Sequence, residues 1–186
     1  MKRIVILASG SGTLAQAIID AALDIDNVAV ISDQADAAVL ERAQKAHIET
    51  FTIPMLPDRS EWDRELETLL AALKPDLVVS AGFMRILSEK TVNRFRIINS
   101  HPALLPLFPG AHAVRDALAA GATETGTTIH WVDAGMDTGE VIAQERVEIH
   151  PGDTEESLHE RIKIVERGLI VATIASLIST MEKTNG

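Results

Sequence analysis

Short apolar runs alternate with amphipathic segments through the first hundred residues, and this alternation limits the fold more than any other feature of the chain. Parallel strands are covered by helices on both faces, so they are apolar throughout rather than at every second position. The pattern predicts buried strands at Arg3–Ala8, Val28–Ser32, Glu49–Ile53, Leu77–Ser80 and Arg96–Ser100. It predicts helices between them at Leu14–Leu23, Ala35–Ala46 and Arg59–Leu73.

The second half of the chain follows a different pattern. Thr127–Val132 and Glu140–Ile149 alternate apolar and polar residues, which indicates antiparallel strands added at one side of the sheet. Asp153 and Glu156 resemble a capping box. A long terminal helix follows, with apolar residues at 4-3-4 spacing: Leu158, Ile162, Val165 and Leu169. We therefore predict one α/β domain over residues 1–186, a three-layer fold around a mostly parallel, twisted sheet with a Rossmann-like N-terminal half.

Composition excludes several classes of protein. The chain has 186 residues, no cysteine, and a net charge of −10 from 17 basic and 27 acidic side chains. It therefore has no disulfide, catalytic thiolate or cysteine zinc site, and its acidity argues against binding nucleic acid or an anionic membrane. The apolar stretch Leu169–Ile178 is interrupted and falls short of the ~20 residues that a membrane span requires. We expect a soluble, cytoplasmic protein.

A glycine-rich loop, Ser9–Thr13, follows the first predicted strand and opens the first helix. Free N–H groups at such a helix start attract an anion, so the loop predicts phosphate binding. Gly10 to Ala15 also satisfies G-x-G-x-x-A, and Asp33 lies about 20 residues further on, as in a dinucleotide site. The loop alone leaves open NAD, a smaller phosphate ligand, or a turn required only by packing.

Asn99 and His101 end the fifth predicted strand and point the same way, because side chains alternate along an extended segment. An amide and an imidazole directed into one crevice suit a carbonyl that becomes an oxyanion. The alternative is that both residues only cap neighbouring backbone groups. Pro102 follows and stops further strand pairing.

Asp137 lies in a glycine-bearing Asp-Thr-Gly loop, which by itself is more typical of a turn than of a catalytic site. If Asp137 approaches His101, its charge favours the protonated imidazole, a proton donor at neutral pH. His112 and His130 could join His101 in a metal site, but no two histidines are four residues apart, and we expect no metal.

Three segments together resemble the folate-dependent formyltransferases. They read Ser-Ala-Gly-Phe-Met-Arg-Ile-Leu at residues 80–87, Asn-Ser-His-Pro-Ala-Leu-Leu-Pro at residues 99–106, and Phe-Pro-Gly at residues 108–110. The resemblance runs from Arg3 to about Ile178, and within the family it is to the branch that acts on glycinamide ribonucleotide. It implies a nucleotide-phosphate half at about residues 1–98 and a folate-binding, catalytic half at about residues 99–186.

The resemblance also implies the chemistry. The amine of glycinamide ribonucleotide attacks the formyl carbon of 10-formyltetrahydrofolate through a tetrahedral intermediate, a step of de novo purine biosynthesis. His101 would donate the proton and contact the oxyanion, Asn99 would hold the formyl oxygen, and Asp137 would keep His101 protonated. The cosubstrate is the folate, and neither a metal nor NAD takes part. The expected partners are small-molecule substrates, and the expected protein is a monomer or a homodimer.

Binding residues carry over by position. The substrate phosphate is expected at Gly12, Thr13 and Leu14, and the rest of the substrate at Lys163 and Glu166, which could otherwise form a solvated i, i+3 ion pair. The folate residues implied by the resemblance are Arg59, Met84, Arg85, Ile86, Leu87, Asn99, Asp133, Ala134, Gly135, Met136 and Asp137.

The sequence departs from the family pattern at three places. Leu14 stands where the family often has Asn, Glu140 stands where a proline commonly follows Asp-Thr-Gly, and the chain stops at Gly186, so a terminal β-hairpin is expected to be missing. These departures bear on substrate affinity more than on chemistry.

Four rival functions are weaker. Relatives that formylate methionyl-tRNA carry a C-terminal tRNA-binding domain, and those that hydrolyse formyltetrahydrofolate carry an N-terminal regulatory domain, and neither is expected here. An NAD-dependent oxidoreductase is favoured only by the glycine loop and Asp33. Intact Asn99, His101 and Asp137 speak against a non-catalytic nucleotide-binding module.

Overall fold

The computed structural model describes residues 1–183 and comprises two compact units, Met1–Asn99 and a second that begins at Ser100. The elements of the first unit are β1 (Lys2–Leu7), α1 (Thr13–Asp20), β2 (Ile25–Ser32), α2 (Ala38–Lys45), β3 (Glu49–Thr52), α3 (Arg59–Leu73), β4 (Leu77–Ser80) and α4 (Glu89–Arg94). Strand β5 (Ile97–His101) includes the last residues of the first unit and the first of the second. The second unit continues with α5 (Ala113–Ala119), β6 (Glu124–Trp131), β7 (Val141–Glu148) and α6 (Glu155–Lys183).

The strands within residues 1–183 follow the order β3-β2-β1-β4-β5-β6-β7 in a seven-stranded sheet. The pairs β2–β3, β1–β2, β1–β4 and β4–β5 are parallel, and β6–β7 is antiparallel. The order 3-2-1-4-5 is that of a Rossmann-like half, in which ligands bind beyond the carboxyl ends of the strands. The predicted fold class is therefore confirmed. The single domain over residues 1–186 stays a prediction, and its last residue, Gly186, lies outside the described residues.

Apolar strands form the core of the first unit, as their composition requires. Ile4, Val5, Ile6 and Leu7 of β1 are fully buried. Trp62 of α3 is also fully buried and donates its indole N–H to the carbonyl of Ile53 at 2.9 Å, which satisfies its one polar atom. Helix α3 has the predicted bounds. Its start is capped by Asp58, whose carboxylate accepts the N–H of Ser60.

In the second unit, Leu158 and Ile162 of α6 pack with Val114 and Val147 in one apolar cluster. The cap that begins α6 differs from the prediction. Thr154 and Ser157 form the reciprocal pair, each side-chain oxygen accepting the other residue's backbone N–H. Asp153, predicted as the cap, is held by Arg161 and Ser157 instead, and Glu156 is exposed at the first turn.

Helix α6 is, by length and composition, long and apolar enough to cross a membrane, with a mean hydropathy of 1.6 over 18 residues. About a third of this apolar stretch is buried in the protein. Leu158, Ile162, Ile170 and Ile174 are fully buried. A helix that packs in the core of a globular unit can have the same length and composition, so the apolar stretch is only weak evidence for a membrane span.

Several boundaries differ from the sequence prediction for local reasons. Helix α1 ends at Asp20 rather than Leu23, because Ala22 adopts a left-handed conformation at φ 48°. Helix α2 begins at Ala38 rather than Ala35, after a turn in which the N–H of Ala37 bonds to the carbonyl of Gln34. Helices α4 and α5 were not predicted, because six or seven residues are too few to display a helical period.

Candidate active site

His101 ends β5 and is buried, with each ring nitrogen facing an oxygen atom. Its Nε2 lies 2.8 Å from the carbonyl oxygen of Phe108, and its Nδ1 lies 3.4 Å from Oδ2 of Asp137. A carbonyl and an ionised carboxylate can only accept hydrogen bonds, so the ring of His101 faces a hydrogen-bond acceptor beside each of its nitrogens.

Asp137 is fixed from several sides. Its Oδ2 accepts the backbone N–H of Gly110 at 2.8 Å, and its Oδ1 lies 3.5 Å from Nε2 of His130. The hydrogen bond with His130 holds the pKa of Asp137 below its ordinary value, together with the Gly110 N–H and the charge of His101, although burial opposes them. Asp137 also has a left-handed backbone at φ 55°, a conformation uncommon outside glycine.

His130, considered from the sequence only as a metal ligand, lies beside Asp137. The residue is 2% exposed in β6, and its Nδ1 lies 2.9 Å from the carbonyl oxygen of Trp131. The Asp137 carboxylate thus lies between two imidazoles, those of His101 and His130. The sequence signal for this role was the position of His130 inside a strand whose neighbouring residues are buried. A buried imidazole requires polar partners, so a partner for His130 could have been expected.

Asn99 and His101 lie in the same strand, and Ser100 between them faces the other way by strand alternation. Ser100 donates its hydroxyl to Oε1 of Glu166 at 2.5 Å. Burial raises the pKa of Glu166 above its ordinary value, against the opposing hydrogen bond from Ser100. Lys163 pairs with Glu160 at 2.6 Å, so the i, i+3 ion pair between Lys163 and Glu166 is not formed.

The loop at residues 133–137 is organised by one carboxylate. Asp133 accepts the hydroxyl of Thr138 and the backbone N–H of Gly135, which closes a tight turn. A Cβ at Gly135 would lie 2.0 Å from the Thr138 hydroxyl, so the turn requires glycine. Ala134 and Met136 are exposed, Met136 with an apolar side chain available for contact.

The glycine loop of the first unit leads directly into the start of α1. Gly12 caps α1 with φ 72° and no side-chain cap, so the helix start presents backbone N–H groups. A Cβ at Gly12 would lie 2.5 Å from Val39 of α2, which explains why glycine stands there. Leu14 is buried, so it offers only its backbone to a ligand, while Thr13 is partly exposed.

The predicted folate segment, Met84–Leu87, follows β4 in the first unit. Met84 and Ile86 expose large apolar side chains, whereas Leu87 is buried. Arg59 donates to the carbonyl of Ile86 and to Asp63, and its guanidinium lies 5.0 Å from the Trp62 ring centroid.

Arg85, predicted as a folate residue, donates its Nε to Asp33 at 2.6 Å. Asp33 was singled out by the dinucleotide-type spacing, and both of its oxygens accept protein donors. Within residues 1–183 there is no group of three or more His, Cys, Asp or Glu side chains that could hold a metal ion.

Residues 2–174 match the family model described as formyl transferase, which is most of the chain. Together with the fold, this match defines the class: the chain belongs to the formyl transferase family, and the resemblance found in its motifs is confirmed.

Within this family, the chain is similar to proteins named phosphoribosylglycinamide formyltransferase or glycinamide ribonucleotide transformylase. The chain is 49% identical over 181 residues to phosphoribosylglycinamide formyltransferase of Mycobacterium tuberculosis, which covers 94% of this chain and 84% of that protein. It is 42% identical over 180 residues to the Escherichia coli K12 protein of the same name, covering 92% and 85%. Glycinamide ribonucleotide transformylase 1 from Symbiobacterium toebii superposes with a TM-score of 0.91 at 41% identity, covering 94% and 86%.

Proposed function

We propose that this enzyme transfers the formyl group of 10-formyltetrahydrofolate to the amine of N1-(5-phospho-D-ribosyl)glycinamide, in de novo purine biosynthesis. The names and high identity of its relatives support this substrate pair. The observation that carries the chemistry is the buried His101, with one ring nitrogen beside Asp137 and the other beside a carbonyl oxygen. Folate and nucleotide would both bind as small molecules to a cytoplasmic monomer or homodimer.

The reaction needs proton movement and charge stabilisation but no covalent enzyme intermediate. The substrate amine forms a bond to the formyl carbon, whose oxygen becomes an oxyanion in a tetrahedral intermediate. The bond from that carbon to N10 of the folate then breaks, N10 gains a proton, and the amine nitrogen loses one. Formylglycinamide ribonucleotide and tetrahydrofolate result, without a metal or NAD. Holding both substrates together and stabilising the oxyanion supply most of the rate.

His101 is the proposed oxyanion partner and proton donor. In the structure the carbonyl oxygen of Phe108 lies within hydrogen-bond distance of Nε2. A developing oxyanion is a stronger acceptor than a neutral carbonyl, so it would compete for a hydrogen on Nε2 as charge builds up. Asp137 on the other ring nitrogen stabilises the imidazolium and orients the ring. Asn99, on the same strand face, would supply a second donor to the formyl oxygen.

The nucleotide would bind through backbone and charged groups. Gly12, Thr13 and Leu14 would present N–H groups to the phosphate at the start of α1, where the helix dipole also favours an anion. Lys163 and Glu166 of α6 would contact the rest of the substrate. Glu166 supports this role because its carboxyl group is buried and accepts a hydrogen bond from the Ser100 hydroxyl.

The folate would bind along two segments. The exposed apolar side chains of Met84 and Ile86, with Arg85 and Leu87 beside them, supply a surface and backbone groups for a flat pterin. In the second unit, the turn at residues 133–137 is proposed to contribute folate contacts through Asp133, Ala134, Gly135 and Met136. Arg59 is proposed to meet the anionic glutamate tail.

The test is a formyl-transfer assay with purified protein, 10-formyltetrahydrofolate and glycinamide ribonucleotide, with neither metal nor NAD added. We expect stoichiometric formation of tetrahydrofolate and the formylated nucleotide. Release of formate without nucleotide formylation would instead identify a hydrolase, and folded protein that leaves both compounds unchanged would overturn the proposal.

A histidine variant tests the role of the site. His101→Ala should abolish turnover while tetrahydrofolate still binds, because the ring acts on the reacting carbonyl rather than on the pterin. His150→Ala, which removes an exposed imidazole near Glu148, is the matched control and should retain activity. Full activity in His101→Ala would remove the proposed acid.

A further inference from the structure

Asp33 is the most completely buried carboxylate that the proposed chemistry does not use. It follows β2 in the first unit, and its side chain is 0% exposed. A carboxylate so far from water is stable only when its oxygens accept hydrogen bonds or meet a cation. The oxygens of Asp33, the acidic residue of the dinucleotide-type spacing, therefore accept hydrogen bonds from other residues of the protein.

One set of partners lies in the glycine loop. The hydroxyl of Ser9 donates to Oδ1 of Asp33 at 2.5 Å. The same hydroxyl oxygen accepts the backbone N–H of Met84 at 2.8 Å, and the backbone N–H of Ser9 bonds to the carbonyl of Gly82 at 3.1 Å. Ser9 thus connects the loop after β1 to the segment after β4, and Asp33 fixes the orientation of its hydroxyl.

The other partner lies in the folate segment itself. Arg85 donates Nε to Oδ2 of Asp33 at 2.6 Å, and Gln34 donates to the same oxygen at 3.1 Å. The Arg85 side chain is 32% exposed, so one part of it is anchored while another part remains accessible. Asp33 therefore contacts the glycine loop with one oxygen and the folate segment with the other.

The charge on Asp33 is maintained by these contacts. Burial acts to raise the pKa of Asp33, but the hydrogen bonds from Ser9, Arg85 and Gln34 and the charge of Arg85 together outweigh it and leave the pKa below its ordinary value. Charge-assisted hydrogen bonds are roughly twice as strong as neutral ones, so a neutral side chain of the same shape would hold both segments less firmly.

We infer that Asp33 is a positioning residue that holds the Ser9–Thr13 loop and the Met84–Leu87 segment in one arrangement and so couples the binding of the two substrates. This inference rests on the proposed function, which assigns the nucleotide phosphate to the loop and the folate to the segment. Ordering of either segment by its ligand would be transmitted through Asp33 to the other, which gives positive cooperativity without a new contact between the ligands.

Asp33→Asn keeps the shape and removes the charge, and Asp36→Asn, an exposed carboxylate three residues away, is the matched control. We expect Asp33→Asn to raise the KM for both substrates about tenfold, as for one lost charge-assisted hydrogen bond, with kcat within about threefold of wild type. Titration of glycinamide ribonucleotide with and without saturating tetrahydrofolate should show tighter binding in the wild type and a ratio near one in Asp33→Asn. An unchanged ratio, or a loss confined to kcat, would overturn the inference.

Hydrogen exchange on the ligand-free protein separates this inference from the proposed function. Asp33→Asn should reduce protection of the Met84 amide, and Ser9→Ala, a smaller change, should do the same even if the asparagine variant folds poorly. Unchanged protection at Met84 in a folded variant contradicts the inference, whether or not the enzyme transfers formyl groups. Absence of transfer by the wild type contradicts only the proposed function.

Discussion

Oδ2 of Asp137 lies 3.4 Å from Nδ1 of His101. The same oxygen accepts the N–H of Gly110, while the carbonyl of Phe108 faces the other nitrogen of the His101 ring. A single short turn therefore contacts both His101 and Asp137. This arrangement fixes the ring of His101 at both of its nitrogens, which is what orientation for proton transfer requires.

Replacement of Asp137 by asparagine should lower kcat by about 10²–10⁴-fold, the range that general acid–base catalysis contributes. The asparagine side chain lacks the negative charge that favours a protonated His101. Its NH2 group would also face a hydrogen-bond donor where the Asp137 carboxylate accepts one. Tetrahydrofolate affinity, measured by titration, should change by less than about threefold because the loop backbone is retained. Asp116→Asn, on the exposed surface of α5, is the control. A variant that loses folate binding but keeps kcat would place Asp137 in binding rather than in catalysis.

His130→Gln should raise the pKa of Asp137 and lower kcat by about tenfold, less than loss of His101. The hydrogen bond from His130 is the largest single contribution that lowers the Asp137 pKa. A carboxyl NMR titration of wild type and variant measures the shift directly. Because the Asp137 pKa is depressed, its carboxylate stays charged at neutral pH in the wild type, and protonation would begin at a higher pH in the variant. An Asp137 pKa that does not move would contradict the assignment of His130 as its partner.

The sequence predicted the elements whose signals are local. Apolar runs such as Ile4–Leu7 marked buried strands, and the amphipathic spacing around Trp62 marked α3. The sequence could not show which side chains meet across long separations. In the sequence His130 is a single histidine, and only the fold places it beside Asp137. The spacing of Asp33 suggested a dinucleotide site, and only the structure shows that its carboxylate bonds to Ser9 and Arg85.

Gly12→Ala should destabilise the protein by about 1–3 kcal/mol and raise the KM for glycinamide ribonucleotide. A side chain at φ 72° is strained, and its Cβ would lie 2.5 Å from Val39, so α2 or the loop must shift. Gly10→Ala is the matched control, because a Cβ there meets nothing within 4 Å. Urea unfolding and steady-state kinetics provide the two measurements.

Relief of the clash gives a further check on the same glycine. Val39→Ala in the Gly12→Ala background should restore a small part of the affinity for the nucleotide, because it removes Cγ2 of Val39 but leaves the Cβ and Cα that the new Cβ also meets. The strain of the left-handed backbone would remain, so recovery should be incomplete. If Gly10→Ala and Gly12→Ala behave alike, close approach to α2 is not what requires a glycine.

Glu166→Gln should become more stable relative to the wild type as the pH rises above about 4.5. Burial raises the pKa of Glu166 above that ordinary value, so the folded protein binds this proton more tightly than the unfolded chain does. The favourable contribution is complete below the unfolded pKa and is lost as the pH rises through the folded pKa, where charge is forced into a buried site. Glutamine keeps an oxygen for the Ser100 hydroxyl and carries no charge.

The measurement is urea unfolding of wild type and Glu166→Gln at several pH values between 4 and 8. Glu160→Gln is an opposite control on the same helix, because Lys163 lowers the pKa of Glu160. Its wild-type carboxylate stabilises the fold above the unfolded pKa, so the Glu160→Gln variant should lose stability relative to wild type as the pH rises. A stability difference between Glu166→Gln and wild type that does not vary with pH would mean that Glu166 is not buried as a titrating acid.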